Sequence, residues 1–112
     1  MEIDFVTKKL SETLSQHKQR VRKHGAVVAG RLLVRLNQLD SAPNLEEMRS
    51  IPGGCHELRE DRAGQLAVDV TKNLRLIFRP TEDPPPAKDD GGLDWKAVTA
   101  ITILEVADYH GD

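Results

Sequence analysis

Residues 65–80 read QLAVDVTKNLRLIFRP, and apolar side chains recur at every second position on both sides of a short polar break. A Lys72-Asn73 turn at that break would reverse the chain. The segment before the turn has its apolar residues at Leu66, Val68 and Val70, and the segment after it has them at Leu74, Leu76 and Phe78. The alternating residues of the second segment are Arg75, Ile77 and Arg79. The stretch therefore predicts an antiparallel hairpin with one apolar face and one mixed, basic face.

Two further strands are expected around this hairpin. CHELRED, residues 55–61, is a shorter candidate strand that precedes it. The segment KAVTAITILEVADYH, residues 96–110, is apolar on both sides from Val98 to Leu104. A strand of that kind belongs in the middle of a sheet, because both of its faces must be covered.

The first forty residues have a helical period. In GAVVAGRLLVRLNQLD, residues 25–40, apolar residues recur at spacings of three and four, at Val28, Leu32, Leu36 and Leu39. The segment of about residues 4–22 is more polar and predicts a surface helix, and Asn44 can cap a short third helix. We therefore expect one α+β domain spanning residues 1–112, with two N-terminal helices and a short third packed on a small antiparallel sheet.

Composition excludes several classes of protein. The chain has 112 residues, and no apolar run approaches the length of a membrane span. The N-terminal MEIDFVTKKL has acids where a signal peptide needs basic residues, so a cytoplasmic location is expected. Cys55 is the single cysteine, which excludes an internal disulfide and a zinc site built from cysteines. We expect its thiol to be packed and unreactive.

Charge is distributed unevenly along the chain. Residues 1–36 carry eight Lys/Arg and three Asp/Glu, whereas residues 37–112 carry eight and fifteen. Five of those acids lie in one Pro/Gly-rich stretch, TEDPPPAKDDGGLD, within an expected loop at residues 81–95. The acidity is thus largely local, and a basic surface elsewhere on the domain is compatible with the formal net charge of −2.

The polar residues of the expected open sheet face suit one kind of chemistry. They comprise two histidines, a tyrosine, two carboxylates and several arginines: His56, Arg59, Asp69, Arg75, Arg79, Asp108, Tyr109 and His110. Cleavage of RNA through its 2′-hydroxyl needs one group to take a proton, another to give one, and cations to stabilise the phosphate. This chemistry needs no metal ion or cofactor, and the four histidines show no metal-ligand spacing. His17 and His24 are expected to be surface residues.

The stretch from residue 45 onward resembles the HigB-type toxins of the RelE/ParE toxin–antitoxin superfamily. The resemblance is carried by CHELREDRAGQLAVDV, then NLRLIFRP, then EVADYH, in that order and at similar spacing. It implies a RelE-like fold and an endoribonuclease that cuts mRNA in the ribosomal A site. It also implies a cognate helix-turn-helix antitoxin, through which alone the protein would contact operator DNA.

The resemblance also implies roles for individual residues. The family's catalytic residues fall on His56, Asp108, Tyr109 and His110. RNA phosphate would be held by arginines, among them Arg59, Arg75, Arg79 and Arg62. His110 is the first choice for proton transfer, since histidine titrates near neutrality. Which histidine acts as acid and which as base is left open by the sequence.

This sequence departs from the family pattern at two places. Arg59-Glu60 stands where the family usually has Lys-Gly, so a proton-transfer role for a lysine is lost and a negative charge is added near the phosphate. The acidic loop of residues 81–95 is longer than in short members. It either screens the site as a mimic of RNA phosphate or is a solvated linker, and its Pro and Gly content favours the linker.

Two other functions compete with RNA cleavage. ParE-type toxins of the same fold poison DNA gyrase, but they generally lack the terminal histidine that this chain has at position 110. Alternatively, the basic helix face of residues 18–35 could dock an acidic partner or nucleic acid while the sheet serves only as a scaffold. A non-catalytic module of that kind would lose nothing when His110 becomes alanine.

Overall fold

The computed structural model describes residues 1–108, which form a mixed sheet packed against helices. In chain order the strands are β1 (Glu2–Phe5), β2 (His56–Glu57), β3 (Leu66–Asp69), β4 (Leu74–Pro80) and β5 (Ala100–Asp108). The helices are α1 (Lys8–Ser15), α2 (His17–His24) and α3 (Ala26–Ser41). Short 3₁₀ helices follow at Leu45–Ser50, Glu60–Arg62 and Trp95–Ala97. The expected α+β class, with helices on one sheet, is confirmed.

The predicted hairpin and the central strand are both present. Strands β3 and β4 are antiparallel, and Asp69 lies opposite Arg75 next to the turn. The strand order is β1-β5-β4-β3-β2, so β5 lies between two neighbours. Leu66, Leu76 and Phe78 are almost completely buried under the helices, as the alternation predicts, and Ile103 of β5 is buried with them.

The N-terminal segment differs from its prediction. Residues 2–5 form β1, an edge strand parallel to β5, so the described sheet is mixed instead of wholly antiparallel. The expected single helix of residues 4–22 is two helices, because Gln16 has extended backbone angles between them. The side chain of Thr7 accepts the Leu10 N–H at 3.1 Å and caps α1.

Helix α3 supplies most of the helical side of the core. It buries Ala29, Leu32, Leu36 and Leu39, whose spacings of three and four residues place them on one face. Val28, expected among them, is only partly buried. As expected, Asn44 caps the following 3₁₀ turn by accepting the Glu47 N–H at 3.3 Å.

A bulge in β5 decides which of its residues face the helices. Phe78 lies opposite Ile103, but the preceding Ile77 lies opposite Glu105, so Leu104 is an extra residue in β5. Strict alternation would place Ile103 and Glu105 on the same face. The bulge instead turns Glu105 to the face that the helices leave open.

The α2 residue His24 leads to a testable pH dependence. Burial, followed by the neighbouring charge of Lys23, lowers the pKa of His24. The unfolded chain therefore takes up this proton at a higher pH than the folded chain, so stability falls as pH drops below about 6.5, the ordinary histidine value. We expect His24→Gln to flatten the decline in free energy of unfolding between about pH 6.5 and 5, measured by urea denaturation. His17→Gln, at an exposed position of the same helix, is the matched control, and equal slopes in both variants would contradict the assignment.

Candidate active site

The open face of the sheet contains a cavity of about 410 Å³ beside the end of β5. Its floor comes from β4 and β5, and its wall is the loop that follows β2. Three arginines and three carboxylates line it, together with three apolar residues: Arg59, Arg62, Arg75, Glu60, Asp61, Asp108, Leu58, Ile77 and Ala107. The cavity thus gathers four of the eight residues predicted as the site, namely Arg59, Arg62, Arg75 and Asp108.

Strand pairing explains why these floor residues meet. Arg75 lies opposite Asp69 on β3 and Ala107 on β5, one step from the end of the hairpin. The next row on the same face holds Ala67, Ile77 and Glu105. Because side chains alternate between faces, Arg75 points away from the helical core and toward the cavity.

Arg62 fastens the wall to the floor. Its guanidinium donates to Gln65 Oε1 and to Glu105 Oε2, each at 2.8 Å. The two charged side chains are 38% and 48% exposed, so the pair contributes about 1 kcal/mol or less to stability. Its main effect is positional, since it ties the Glu60–Arg62 turn to β5. Glu105 was not among the residues predicted from the sequence, although a lone charge directly after the apolar run of β5 was the available signal.

Glu60 has an unusual backbone. Its φ is +57°, which makes it the single non-glycine residue with positive φ among residues 1–108. This left-handed conformation costs an L-residue about 1–2 kcal/mol and favours glycine. Glycine is also what the family resemblance leads one to expect at this position. The carboxylate therefore occupies a strained position on the wall of an arginine-lined cavity.

Replacing Glu60 should affect stability and RNA binding separately. We expect Glu60→Gly to raise the free energy of unfolding by up to about 1 kcal/mol, because strain at φ +57° is relieved while glycine adds chain entropy to the unfolded state. We also expect tighter RNA binding, because a negative charge leaves the cavity. Glu60→Gln is the matched control, since it removes the charge but keeps the strain. Urea denaturation and binding of a short RNA would measure the two effects. If Glu60→Gln bound RNA no better than wild type, the electrostatic part would be wrong.

His56 lies near the cavity without lining it. It is exposed on β2, opposite Ala67, and so belongs to the row of Ile77 and Glu105. Its Nδ1 is 2.7 Å from the Gly54 carbonyl oxygen. Because a carbonyl only accepts, Nδ1 carries the proton in this contact, and Nε2 of the neutral ring is left as the acceptor.

Arg79 lies in a different depression from the other predicted phosphate ligands. This depression, of about 390 Å³, is lined partly by Glu82 and Asp83 of the acidic loop. Arg79 also donates to the Pro80 carbonyl at 3.1 Å. No residue of the loop lines the cavity that holds Arg59 and Arg75. The acidic loop thus lies beside Arg79 and not over the candidate site.

The end of the acidic loop is anchored in the core. Trp95 is 4% exposed, and its indole N–H donates to Glu57 Oε2 at 3.0 Å. The Arg49 guanidinium lies 3.8 Å from the centre of the Trp95 ring, which is a cation–π contact. These contacts hold the loop against the β2 side of the sheet.

Asp108 is the last residue that the structure describes. The predicted residues Tyr109 and His110 lie outside the described part of the chain.

Burial raises the pKa of the Cys55 thiol to about 12, an effect that Arg49 partly offsets, so this cysteine is not a nucleophile at neutral pH. Among residues 1–108, no group of three or more His, Cys, Asp or Glu side chains is placed to share a metal ion. None of the described helices is long and apolar enough to cross a membrane.

Comparison with known proteins identifies a fold and no closer relationship. No protein-family model matches the sequence, and no curated protein matches it either. Among solved structures, the chain is similar to a YoeB/ParE toxin from Agrobacterium tumefaciens, with a TM-score of 0.60 and 10% sequence identity. The match covers 98% of this chain and 100% of that one. Over almost its whole length, then, this chain has the fold of a YoeB/ParE toxin.

Proposed function

We propose that this protein is the toxin of a type II toxin–antitoxin system and that it cleaves mRNA on the ribosome. It would belong to the RelE/ParE superfamily and be of the HigB type. A helix-turn-helix antitoxin would neutralise it, and the mRNA would be presented in the ribosomal A site. The fold supports a toxin in general, and the sequence motifs support the ribonuclease in particular.

One observation carries the proposal. Arg59 and Arg75, distant in sequence, line one open cavity together with Asp108. Tyr109 and His110 follow Asp108 directly in the chain. Guanidinium groups recognise phosphate through paired hydrogen bonds and keep their charge at every physiological pH. A phosphodiester held by Arg59 and Arg75 would therefore lie close to the strand end that leads to His110.

The proposed mechanism assigns a role to each group. His56 and His110 divide the two proton transfers, from the attacking 2′-hydroxyl and to the leaving 5′-oxygen. Arg75 and Arg59 stabilise the charge that develops on the phosphate. Asp108 orients a histidine, and Tyr109 stacks on a base or donates a hydrogen bond. Arg62 braces the wall, and Arg79 contacts RNA farther along its path.

Gyrase inhibition is the second candidate, because the similar solved structure is described as a YoeB/ParE toxin and the fold alone does not separate the two activities. His110 and the arginine-lined cavity favour RNA cleavage.

The deciding experiment is mapping of mRNA 5′ ends in a bacterial translation extract with wild type and His110→Ala. We expect codon-positioned cuts with wild type and a loss of about 10²–10⁴-fold in cleavage rate in the variant. Circular dichroism of both proteins controls for folding. Intact mRNA with a folded wild-type protein would refute the ribonuclease, and a gyrase supercoiling assay would then test the second candidate.

A further inference from the structure

The charge of the cavity beside the end of β5 is unusual for a site that binds phosphate. Three arginines and three carboxylates line it, so their formal charges cancel. Arg62 already donates to Gln65 and to Glu105, and Arg59 and Arg75 remain as the candidate phosphate ligands. A site for phosphate alone is expected to carry an excess of positive charge, because acids repel such a ligand. The carboxylates therefore favour a ligand that has a second part, one that donates N–H groups.

Two of the three carboxylates lie side by side on the wall of the cavity. Glu60 and Asp61 are both exposed and belong to the short 3₁₀ helix Glu60–Arg62. Among residues 1–108, neither side chain has a hydrogen-bond or ion-pair partner. An ionised carboxylate only accepts hydrogen bonds, and its two oxygens suit a group that presents two parallel N–H donors.

Among the four bases of RNA, guanine alone has two adjacent N–H donors on its pairing edge, at N1 and at the 2-amino group. In adenine and cytosine the amino group stands beside a ring nitrogen that accepts, and its lone pair would repel the second carboxylate oxygen. Uracil has a single N–H between two carbonyls. The cavity volume of about 410 Å³ is within the usual range for small-molecule sites, and Leu58, Ile77 and Ala107 give it an apolar part for a ring.

We propose that Glu60 determines base specificity and that the cavity binds a guanosine nucleotide of RNA. The Glu60 carboxylate accepts from guanine N1–H and from the 2-amino group, while Arg59 and Arg75 hold the phosphate of the same nucleotide. Glu60 is assigned over Asp61 because its side chain is longer by one methylene. Its backbone at φ +57° is also strained, and strain of this kind clusters at functional sites. The assignment rests on the proposed function, since it takes RNA as the ligand of this cavity.

The test is an NMR titration of the full-length chain with the 3′,5′-bisphosphates of guanosine, inosine and adenosine. The proposed reaction cannot cleave these compounds, because neither phosphate joins a second nucleoside. We expect the guanosine compound to bind wild type about tenfold or more tightly than the adenosine compound. Inosine lacks only the 2-amino group and should bind with intermediate affinity. Glu60→Gln should lose the preference, and it should bind the adenosine compound more tightly than wild type because a charge that repels phosphate is gone.

Asp61→Asn is the matched control, since it removes the same charge from the same wall and should keep the preference for guanosine. Circular dichroism would verify that both variants fold. The proposal would be overturned if wild type bound none of the compounds or bound all three equally. A preference that persists in Glu60→Gln, or that Asp61→Asn loses to the same extent, would also overturn it. Selective binding of guanosine by a protein that leaves mRNA intact would refute the ribonuclease alone, whereas codon-positioned cuts without this selectivity would refute base recognition alone.

Discussion

Arg75→Ala is expected to reduce the single-turnover rate of RNA cleavage by about 10²–10³-fold, the usual effect of removing one group that stabilises developing charge. Arg75 lines the cavity floor from β4, opposite Ala107 and next to Asp108. Its guanidinium would contact the phosphate where negative charge accumulates. Arg75→Lys keeps the charge but loses the paired donor geometry, so an intermediate rate is expected.

Arg31→Ala is the control for this prediction. Arg31 is exposed on α3 within the basic segment of residues 18–35 and does not line the cavity. RNA cleavage in the sheet cavity predicts that Arg31→Ala retains the wild-type rate. A loss in Arg31→Ala together with full activity in Arg75→Ala would contradict the site and support binding through the helices. Urea denaturation of each variant separates a loss of activity from a loss of folding.

Gly53→Ala is expected to lower the free energy of unfolding by about 2–4 kcal/mol, through strain and overpacking together. Gly53 has a φ of +124°, which L-residues rarely adopt. A Cβ at this position would lie 2.8 Å from Val68 Cγ2 and 3.1 Å from the Arg35 guanidinium carbon. Neither neighbour moves easily, because Val68 is fully buried and Arg35 Nε donates to the Asp69 carbonyl at 2.6 Å. The Gly53 carbonyl in turn accepts the Asp69 N–H at 2.8 Å, so a shift of Gly53 would disturb the end of β3.

Gly30→Ala is the matched control, because it makes the same change in a different environment. Gly30 lies within α3, and a Cβ there meets no atom within 4 Å. Alanine in a helix interior is favoured over glycine by about 0.5–1 kcal/mol, so this variant should be more stable than wild type. Equal effects of the two substitutions in urea denaturation would show that the close approach at Gly53 does not constrain the fold.

If Glu60 and the acidic loop both act electrostatically, they do so in different places. Glu60 shares a cavity with Arg59 and Arg75, whereas Glu82 and Asp83 share a depression with Arg79. Replacing residues 81–94 by a short turn should therefore leave cleavage nearly unchanged, while changes at Glu60 should alter it. A large gain of activity on shortening the loop would revive the idea that the loop screens the site.

The sequence by itself determined the hairpin, the central strand and the core face of α3. In each of them apolar residues recur every second residue, as in a strand, or every third or fourth residue, as in a helix. Leu66, Phe78 and Leu36 could therefore be assigned to the core from the sequence alone. The same alternation placed Arg75 on the open face. The arginine-rich open face was therefore predictable before any contact was known.

Tertiary structure alone decided three features. Strand β1 exists because residues 2–5 pair with residues 100–103, and four residues carry too little local pattern to reveal a partner so distant in the chain. The bulge at Leu104 turned Glu105 toward Arg62, and a one-residue shift in register cannot be read from an apolar run. The acids Glu82 and Asp83 came to lie beside Arg79 and not beside Arg75, because the course of the acidic loop depends on the packing of Trp95. The spacing at which apolar residues recur is a local property of the chain. Strand register, strand partners and the course of a loop arise instead from contacts between distant residues.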